Sequence, residues 1–263
     1  MNGNLQLLID KGYSKEDVLR LSIFSKDDVS KATKTAIEYI SKKCTSVLSP
    51  EALFVGGQPG CGKSSVALNI KNKIGNYLVI NIDSLRVYHP NYSKIEEYIK
   101  NYWKDKEENI NDSPGNDLAN MTHAFASELS DALTESGIKM RYNMILEWGM
   151  REPKIPLSMM KHLKANKYIV KVLFVATKKT ESFAACNKRT NKLEDSKHII
   201  RRVPKSFHDK CAMSLPSSID TIYEEGKISK CYDSFTIINR HEKILWDGQN
   251  NQTPGEVFRT YLG

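Results

Sequence analysis

The fold is decided by the stretch Gly57-Gln58-Pro59-Gly60-Cys61-Gly62-Lys63-Ser64, which Ser65 follows directly. It matches the pattern Gly-x-x-x-x-Gly-Lys-Ser, follows the apolar run Leu53-Phe54-Val55 and precedes a stretch with helical spacing. Glycines let such a loop curl, so that backbone N–H groups and the positive end of the following helix face phosphate oxygens. The stretch therefore predicts a P-loop for ATP, in which Lys63 contacts the β and γ phosphates and Ser64 binds Mg²⁺.

Short apolar runs alternate with amphipathic stretches around this loop. Buried strands are predicted at residues 52–55, 77–82, 143–146 and 168–175, and an edge hairpin at 234–239 with 243–246. Helices are predicted at residues 64–74, 117–136, 156–165, 182–190 and 205–223. Residues 102–115, rich in Lys, Glu and Asn, are predicted to be a solvated loop or a frayed helix end. The alternation predicts an α/β fold of the P-loop NTPase kind, with a mostly parallel sheet flanked by helices.

The first fifty residues have a helical pattern. Ser14 with Asp17 and Ser25 with Asp28 have the spacing of capping boxes, which begin helices. We therefore predict an N-terminal helical cap at residues 1–50 and a P-loop domain at residues 51–263.

Composition places the chain among ordinary globular proteins, with 263 residues, 40% of them hydrophobic and 27% charged. It has no apolar run of about 18 to 20 residues and no secretion signal at its start, which predicts a cytoplasmic protein with no membrane partner. Five widely spaced cysteines indicate reduced thiols rather than a zinc site. A net charge of +8 suits a polyanion such as a nucleotide, but charge alone is a weak argument for nucleic acid, which we do not predict as a partner.

A carboxylate ends the second predicted strand, Val79-Ile80-Asn81-Ile82-Asp83. In open α/β sheets the ligand lies beyond the carboxyl ends of the strands, so Asp83 is predicted to lie near the P-loop. There it would take the proton of an attacking hydroxyl or hold Mg²⁺. The alternative is that Asp83 caps the helix that follows.

The third predicted strand ends at Glu147, which Trp148, Gly149, Met150 and Arg151 follow. A buried acid is costly unless it is paired or bound to metal, so Glu147 is predicted to face the same crevice. Arg151 would bind a second phosphate on the acceptor. The alternative is a structural ion pair between Glu147 and Arg151.

Two arginines, Arg189 and Arg201, follow the fourth strand. Phosphoryl transfer relies on cations fixed around the γ phosphate, so both are candidates for that role. The alternative for each is a solvated surface charge.

In order and spacing these residues resemble the zeta toxin family of bacterial toxin–antitoxin systems, over roughly residues 53–215. The resemblance is carried by Gly56 to Ser64, Asn81-Ile82-Asp83-Ser84-Leu85-Arg86 with His89-Pro90, Ile145-Leu146-Glu147 with Arg151, Arg189, and Arg201-Arg202-Val203-Pro204-Lys205 with His208-Asp209. It implies a kinase that uses ATP and Mg²⁺ to phosphorylate a hydroxyl of a UDP-activated amino sugar, typically UDP-N-acetylglucosamine. It also implies an antitoxin partner that binds near the ATP site.

Carried over by position, the resemblance implies a role for each site residue. Lys63 and Ser64 serve ATP and Mg²⁺, and Asp83 is the base that activates the sugar hydroxyl. The resemblance implies that Arg189 and Arg201 bind the phosphates being transferred. It assigns acceptor binding to Arg86, Glu147 and Arg151.

One departure from the family lies directly after Glu147. The family usually has Gly-Thr there, whereas this chain has Trp148-Gly149, so Trp148 is predicted to stack on a ring of a different acceptor. Two alternatives stay open. One is a P-loop kinase that acts on NAD, a nucleoside or a polynucleotide end. The other is a non-catalytic module that uses ATP only to order its loops.

Overall fold

The computed structural model describes residues 3–107, 112–191, 202–249 and 251–263, except for the side chains of residues 189–191. The chain forms two compact units. The first comprises Met1–Tyr39, Asn81–Leu133 and Asn187–Lys205, and the second comprises Ile40–Ile80, Thr134–Cys186 and Ser206–Gly263. Across the described ranges, none of the helices combines the length and the apolarity that crossing a lipid bilayer requires.

Helices and strands alternate through most of the chain. The N-terminal half contains α1 (Gly3–Asp10), α2 (Lys15–Ser22), α3 (Lys26–Ile40), β1 (Glu51–Gly56), α4 (Lys63–Ile74), β2 (Leu78–Asn81), α5 (Ile82–Leu85), a 3-10 turn (Arg86–Tyr88), α6 (Tyr92–Trp103) and α7 (Pro114–Lys139). The C-terminal half contains β3 (Met144–Glu147), α8 (Lys154–Ala165), β4 (Ile169–Ala176), α9 (Lys179–Asn191), α10 (Lys205–Ile228), β5 (Ser234–Asn239), β6 (Ile244–Trp246) and α11 (Pro254–Leu262).

The second unit is built on a six-stranded sheet with the order β2-β3-β1-β4-β5-β6. β1 lies in its middle, parallel to β3 on one side and to β4 on the other, and β5 continues the parallel part. Only β6 is antiparallel among the described pairings, at the edge. Because β1 is paired on both sides, its residues 52–56 are buried, which explains the continuous apolar run in the sequence.

The structure confirms the predicted α/β class and the mostly parallel sheet. Each predicted strand lies within one residue of an observed one at either end, and the predicted hairpin is β5 with β6. Among the described residues, four elements have no counterpart in the predicted ranges: the short helix α5, the 3-10 turn that follows it, and the helices α6 and α11. Pro156 is the third residue of α8, which begins two residues earlier than predicted, at Lys154, directly after its N-cap residue Pro153.

The first unit has a core of its own, made by helices from distant parts of the chain. Its buried cluster combines residues of α1, α2 and the turn between them with residues of α6 and α7: Leu8, Tyr13, Val18, Leu21, Ile95, Ile99, Trp103, Leu118 and Met121. Both predicted caps are present, because Ser14 accepts from the Asp17 N–H and Ser25 accepts from the Asp28 N–H. The N-terminal helices therefore group with residues 81–133 in the first unit, and the predicted domain boundary at residue 50 stays a prediction.

A buried carboxylate joins the parts of this core. Asp117 accepts hydrogen bonds from Tyr13 Oη at 2.6 Å, from Trp103 Nε1 at 2.8 Å and from Lys11 Nζ at 2.7 Å. Three donors offset the loss of hydration that burial of a carboxylate entails. Trp103 is thus a core residue that ends α6, not part of a solvated loop, and α7 begins at Pro114. Within the predicted loop of 102–115, residues 108–111 lie outside the described residues.

The buried imidazole of His89 is expected to make the first unit sensitive to acid. It is 3% exposed and lies edge-on to Phe24 and Phe125. Burial lowers the pKa of His89 below its ordinary value of 6.5, against the smaller opposing effects of the Ser22 backbone and the Asp28 charge. Below that value the unfolded chain binds the proton more readily than the folded chain. The free energy of unfolding therefore falls as pH drops below about 6.5, and this group has no effect above it.

Thermal melts between about pH 7 and pH 5 test this expectation, because most carboxylates stay ionised in that window. His89→Gln should flatten the dependence of Tm on pH. His162→Gln is the matched control, since His162 is a half-exposed histidine bonded to Glu135 at 2.7 Å in the second unit. An equal slope in the wild type and in His89→Gln would contradict the assignment.

Candidate active site

The P-loop joins β1 to α4 and has the backbone conformation that its sequence predicts. Gly62 is the N-cap of α4 with φ of 106°, and Gly60 has φ of 75°, both in the left-handed region that favours glycine. Steric crowding is a second reason for glycine at Gly60, because a Cβ there would overlap the carbonyl oxygen of Ser182. The curl ends at the first turn of α4, where backbone N–H groups have no intrahelical acceptor. These groups and the helix dipole fit a polyphosphate.

The ammonium group of Lys63 lies inside the curl of the loop. Its Nζ donates to the carbonyl oxygens of Gly57 at 2.8 Å and Gln58 at 2.9 Å. The charge is therefore held on the same side of α4 as the free N–H groups of its first turn. Bonds to two neutral carbonyls are weaker than bonds to a phosphate, so Lys63 can exchange them for an anionic ligand.

Ser64 and Glu147 come together at the end of the two central strands. Glu147 ends β3 opposite Val55 of β1, and its Oε1 accepts a hydrogen bond of 2.6 Å from the Ser64 hydroxyl. Two hard oxygen ligands side by side at the P-loop match the preference of Mg²⁺. The residues present therefore fit the predicted metal.

Arg151, the proposed partner of Glu147, has a different contact. Its guanidinium lies 4.7 Å from the centre of the Phe207 ring, and its backbone oxygen accepts from Ser218 Oγ at 2.6 Å. No ion pair joins Glu147 to Arg151 among the described residues, so that alternative is wrong. Binding of an acceptor phosphate by Arg151 stays a prediction.

Asp83 lies in the first unit, two residues after β2 ends. Asn81, rather than Asp83, caps the short helix α5, because its side chain accepts from the Asp83 N–H at 2.9 Å. The alternative in which Asp83 is the cap is therefore wrong. Its carboxylate is exposed and bonded to the guanidinium of Arg86, with Oδ1 accepting from Nε at 3.1 Å and from Nη2 at 3.0 Å.

Arg86 is held from the opposite side by α7. Its Nη1 donates to the Ala119 carbonyl at 2.7 Å and to Thr122 Oγ1 at 3.3 Å, and only 11% of its side chain is exposed. These contacts fix the direction from which the guanidinium approaches Asp83. The arrangement supports a role in orienting Asp83, whereas the sequence predicted acceptor binding by Arg86, which stays a prediction.

Trp148 is part of the core rather than an open platform. It is 9% exposed, packs edge-on against Phe54 with ring centres 5.5 Å apart, and its backbone N–H donates to Val55 at 3.1 Å. This burial argues against the predicted stacking of the ring on an acceptor. The neighbouring Gly149 is exposed, and a Cβ there would meet no atom within 4 Å.

The structure thus brings Lys63, Ser64 and Glu147 together in the second unit and joins Asp83 to Arg86 in the first. Arg189 lies in α9 with its side chain outside the described residues, as does the whole of Arg201. Their roles stay predictions.

Sequence reasoning missed the residues that contact the back of the P-loop. Thr177 Oγ1 donates to the Cys61 carbonyl at 2.8 Å, and Gln58 Nε2 donates to the Thr177 carbonyl at 2.5 Å. No sequence signal marks such contacts, because they join segments more than a hundred residues apart.

Comparison with known proteins agrees with the geometry of the P-loop site. The sequence profile of the family described as Zeta toxin matches residues 34–251, which is most of the chain. The chain belongs to the zeta toxin family. Two curated zeta toxins are similar to it: one of Streptococcus agalactiae, 30% identical over 195 residues, and one of Enterococcus hirae, 31% identical over 186 residues. The matches cover 73% and 70% of this chain, but only 63% and 60% of those two zeta toxins.

Toxin PezT of Streptococcus pneumoniae is 27% identical over 210 residues, which are 78% of this chain and 74% of PezT. A solved structure from the PezAT chromosomal toxin–antitoxin system of the same species matches with a TM-score of 0.74 at 19% identity. That match covers 92% of this chain and 89% of the other. At this identity the match supports the fold alone, and it confirms the predicted P-loop NTPase-like kinase fold.

Proposed function

We propose that this zeta toxin family member is an ATP-dependent small-molecule kinase. It would transfer the γ-phosphoryl group of ATP to a hydroxyl of a UDP-N-acetyl amino sugar. The observation that carries the proposal is the P-loop, where Lys63 and the bonded pair of Ser64 and Glu147 meet at the first turn of α4. Such a set serves phosphate and metal binding and has no evident use in a purely structural loop.

The proposed roles follow from the chemistry of phosphoryl transfer. Mg²⁺, when bound, would neutralise charge on the phosphate oxygens. Ser64 would supply a ligand to it, and Glu147 would hold Ser64 in place or bind a metal-bound water. Lys63 would stabilise negative charge on the transferred group, with Arg189 and Arg201 as further cations. Asp83 would accept the proton that the acceptor hydroxyl releases as its oxygen forms the new bond to phosphorus.

The family also supports a protein partner. One similar protein is named for the PezAT toxin–antitoxin system, so we propose an antitoxin as partner. We also propose the cytoplasm, which supplies ATP, as the site of action. Co-expression with the product of a neighbouring open reading frame, followed by gel filtration, tests the partner. A complex that blocks ATP binding would support the proposal.

An acceptor screen tests the proposed reaction. The purified protein is incubated with ATP, Mg²⁺ and a panel of UDP-sugars, NAD, nucleosides and oligonucleotide ends, and the products are measured by mass spectrometry. A UDP-N-acetyl sugar heavier by one phosphoryl group would support the proposal. A phosphoryl group gained by NAD, a nucleoside or a polynucleotide end would mean that a kinase of the same fold uses a different acceptor. This alternative stays open because the buried Trp148 stands where the family has Gly. ATP binding without any acceptor product would favour a regulatory module.

Gly149→Thr is expected to improve use of UDP-N-acetylglucosamine. The family usually has Thr at this position, and the open space around Gly149 admits a Thr side chain without a clash. One added hydrogen bond is worth about 1 kcal/mol, so kcat/KM should rise by about 5- to 10-fold. Steady-state kinetics measure the change.

Gly149→Val is the matched control, because valine has the shape of threonine without its hydroxyl. A rise for Thr and none for Val would assign the gain to the hydroxyl. Equal effects of Thr and Val would contradict the proposed contact.

A further inference from the structure

Three buried polar residues lie behind the P-loop, on the side away from its curl. They are Thr177 in the turn between β4 and α9, Ser182 in the first turn of α9, and His208 in the first turn of α10. Thr177 is 1% exposed and the other two are fully buried. We call Thr177, Ser182 and His208 the P-loop brace.

The brace contacts the loop through Gln58, the first variable residue of the motif. The Gln58 side chain is fully buried, and its Nε2 donates to the Thr177 carbonyl at 2.5 Å and to Ser182 Oγ at 3.4 Å. The Thr177 hydroxyl donates in turn to the Cys61 carbonyl at 2.8 Å. Gly60 packs directly on the Ser182 carbonyl, where a Cβ would not fit. Thr177 and Ser182 thus fix the positions of three loop residues, Gln58, Gly60 and Cys61.

His208 fixes the position of Ser182. Its Nε2 lies 2.9 Å from Ser182 Oγ, and its ring lies 5.3 Å from that of Phe183. The Ser182 hydroxyl donates to the Lys179 carbonyl of α9 at 3.0 Å and contacts His208 Nε2 of α10, so it links the two helices. A second link between the two helices is the ion pair of Lys179 with Asp209 at 3.2 Å.

We propose that Ser182 and His208 are positioning residues that hold the P-loop in its phosphate-binding conformation by way of Gln58. A buried polar group that loses its partner keeps the full penalty of desolvation, so the bonds from His208 to Ser182 and on to Gln58 depend on one another. The side chains of Gln58, Ser182 and His208 fix the position of the loop backbone, whose N–H groups face the phosphates. A shift of these side chains therefore displaces the groups that bind the ligand. A misplacement of about 1 Å costs about 10²-fold in rate. This inference rests on the proposed function only in that the loop binds ATP.

Three variants of the brace test the proposal. His208→Leu removes the contact with Ser182, and Ser182→Ala removes the hydroxyl with its contacts to Gln58, His208 and Lys179. His208→Gln retains a polar group near the position of Nε2. The Kd of a fluorescent ATP analogue, the kcat of the acceptor reaction and Tm are measured for each. We expect His208→Leu and Ser182→Ala to weaken binding by about 5- to 100-fold, and His208→Gln to recover most of the loss. His162→Gln, at the half-exposed histidine of α8, is the matched control and should leave Kd unchanged.

A double-mutant cycle separates positioning from simple stabilisation. If His208 acts through Gln58, His208→Leu should add little to the loss of affinity already caused by Gln58→Met. Wild-type affinity in His208→Leu with a lowered Tm would overturn the inference and leave a purely structural link between α9 and α10. If His208→Leu does not fold, Ser182→Ala decides in the same way. A wild-type protein that binds no ATP would instead refute the proposed function.

Discussion

Asp83→Asn is expected to lower kcat by about 10²- to 10⁴-fold while ATP affinity stays unchanged. Asparagine keeps the shape of the side chain and an oxygen that accepts from Arg86, which now holds Asp83 Oδ1 at 3.0 and 3.1 Å. It removes the basicity and the negative charge of the carboxylate. Since the side chain is exposed, the change should leave the fold of the first unit intact. Stopped-flow measurement of phosphoryl transfer and calorimetric titration of ATP give the two quantities.

Asp10→Asn is the matched control for Asp83→Asn. Asp10 is an exposed carboxylate of the same unit, bonded to Gln6 at 2.7 Å within α1. The control removes one negative charge from the same unit without touching a proposed site residue. Its kcat should equal that of the wild type. Unchanged turnover in Asp83→Asn would exclude Asp83 as the base, whereas a loss of ATP affinity would indicate a role in nucleotide binding instead.

Local sequence predicts the P-loop well because the motif dictates its own backbone. The left-handed φ values at Gly60 and Gly62 are those that glycine alone adopts at little cost, and β1 with α4 follow from apolar runs of the right length. The same holds for the strand-end position of Glu147, since parallel strands end at one edge of the sheet. These features depend on residues close together in the sequence.

Features made by distant residues could not be predicted in this way. Trp103 lies at the start of a polar, charged stretch that resembles a loop, but three donors that include its indole converge on Asp117 and bury the ring. Trp148 is a residue type that often stacks on ligand rings, and only its contact with Phe54 on β1 shows that it packs into the core. Polar residues have two uses, in a core or at a ligand, and local pattern does not distinguish them.

Arg86 illustrates the same difficulty at the candidate site. Its positive charge, three residues after Asp83, predicts phosphate binding. The sequence does not indicate that Ala119 and Thr122 of α7 accept hydrogen bonds from its guanidinium. Contacts of this kind determine which charges meet a ligand and which orient a neighbour. For this reason, residue type and spacing identify the reaction class more reliably than they assign individual roles.

Lys63→Ala is expected to impair both ATP binding and turnover. In the wild type, Lys63 Nζ holds the carbonyls of Gly57 and Gln58, and the proposed reaction exchanges those bonds for phosphate oxygens. Hydrogen bonds to charged groups contribute about 1.5 to 3 kcal/mol, so ATP affinity should fall by about 10- to 100-fold. Because the same charge stabilises the transferred group, kcat should fall by about a further 10²- to 10³-fold.

The surface lysine of the same helix is the control for this variant. Lys73 has 69% of its side chain exposed and pairs with Glu242 at 2.9 Å, a contact that solvent screens and that contributes at most about 1 kcal/mol to stability. Lys73→Ala should therefore leave both ATP affinity and kcat unchanged. Full ATP affinity in Lys63→Ala would mean that the loop binds phosphate through its backbone alone. A loss of affinity with normal kcat would remove Lys63 from the chemical step, because a group that stabilises the bound ground state and the transition state equally changes binding without changing turnover.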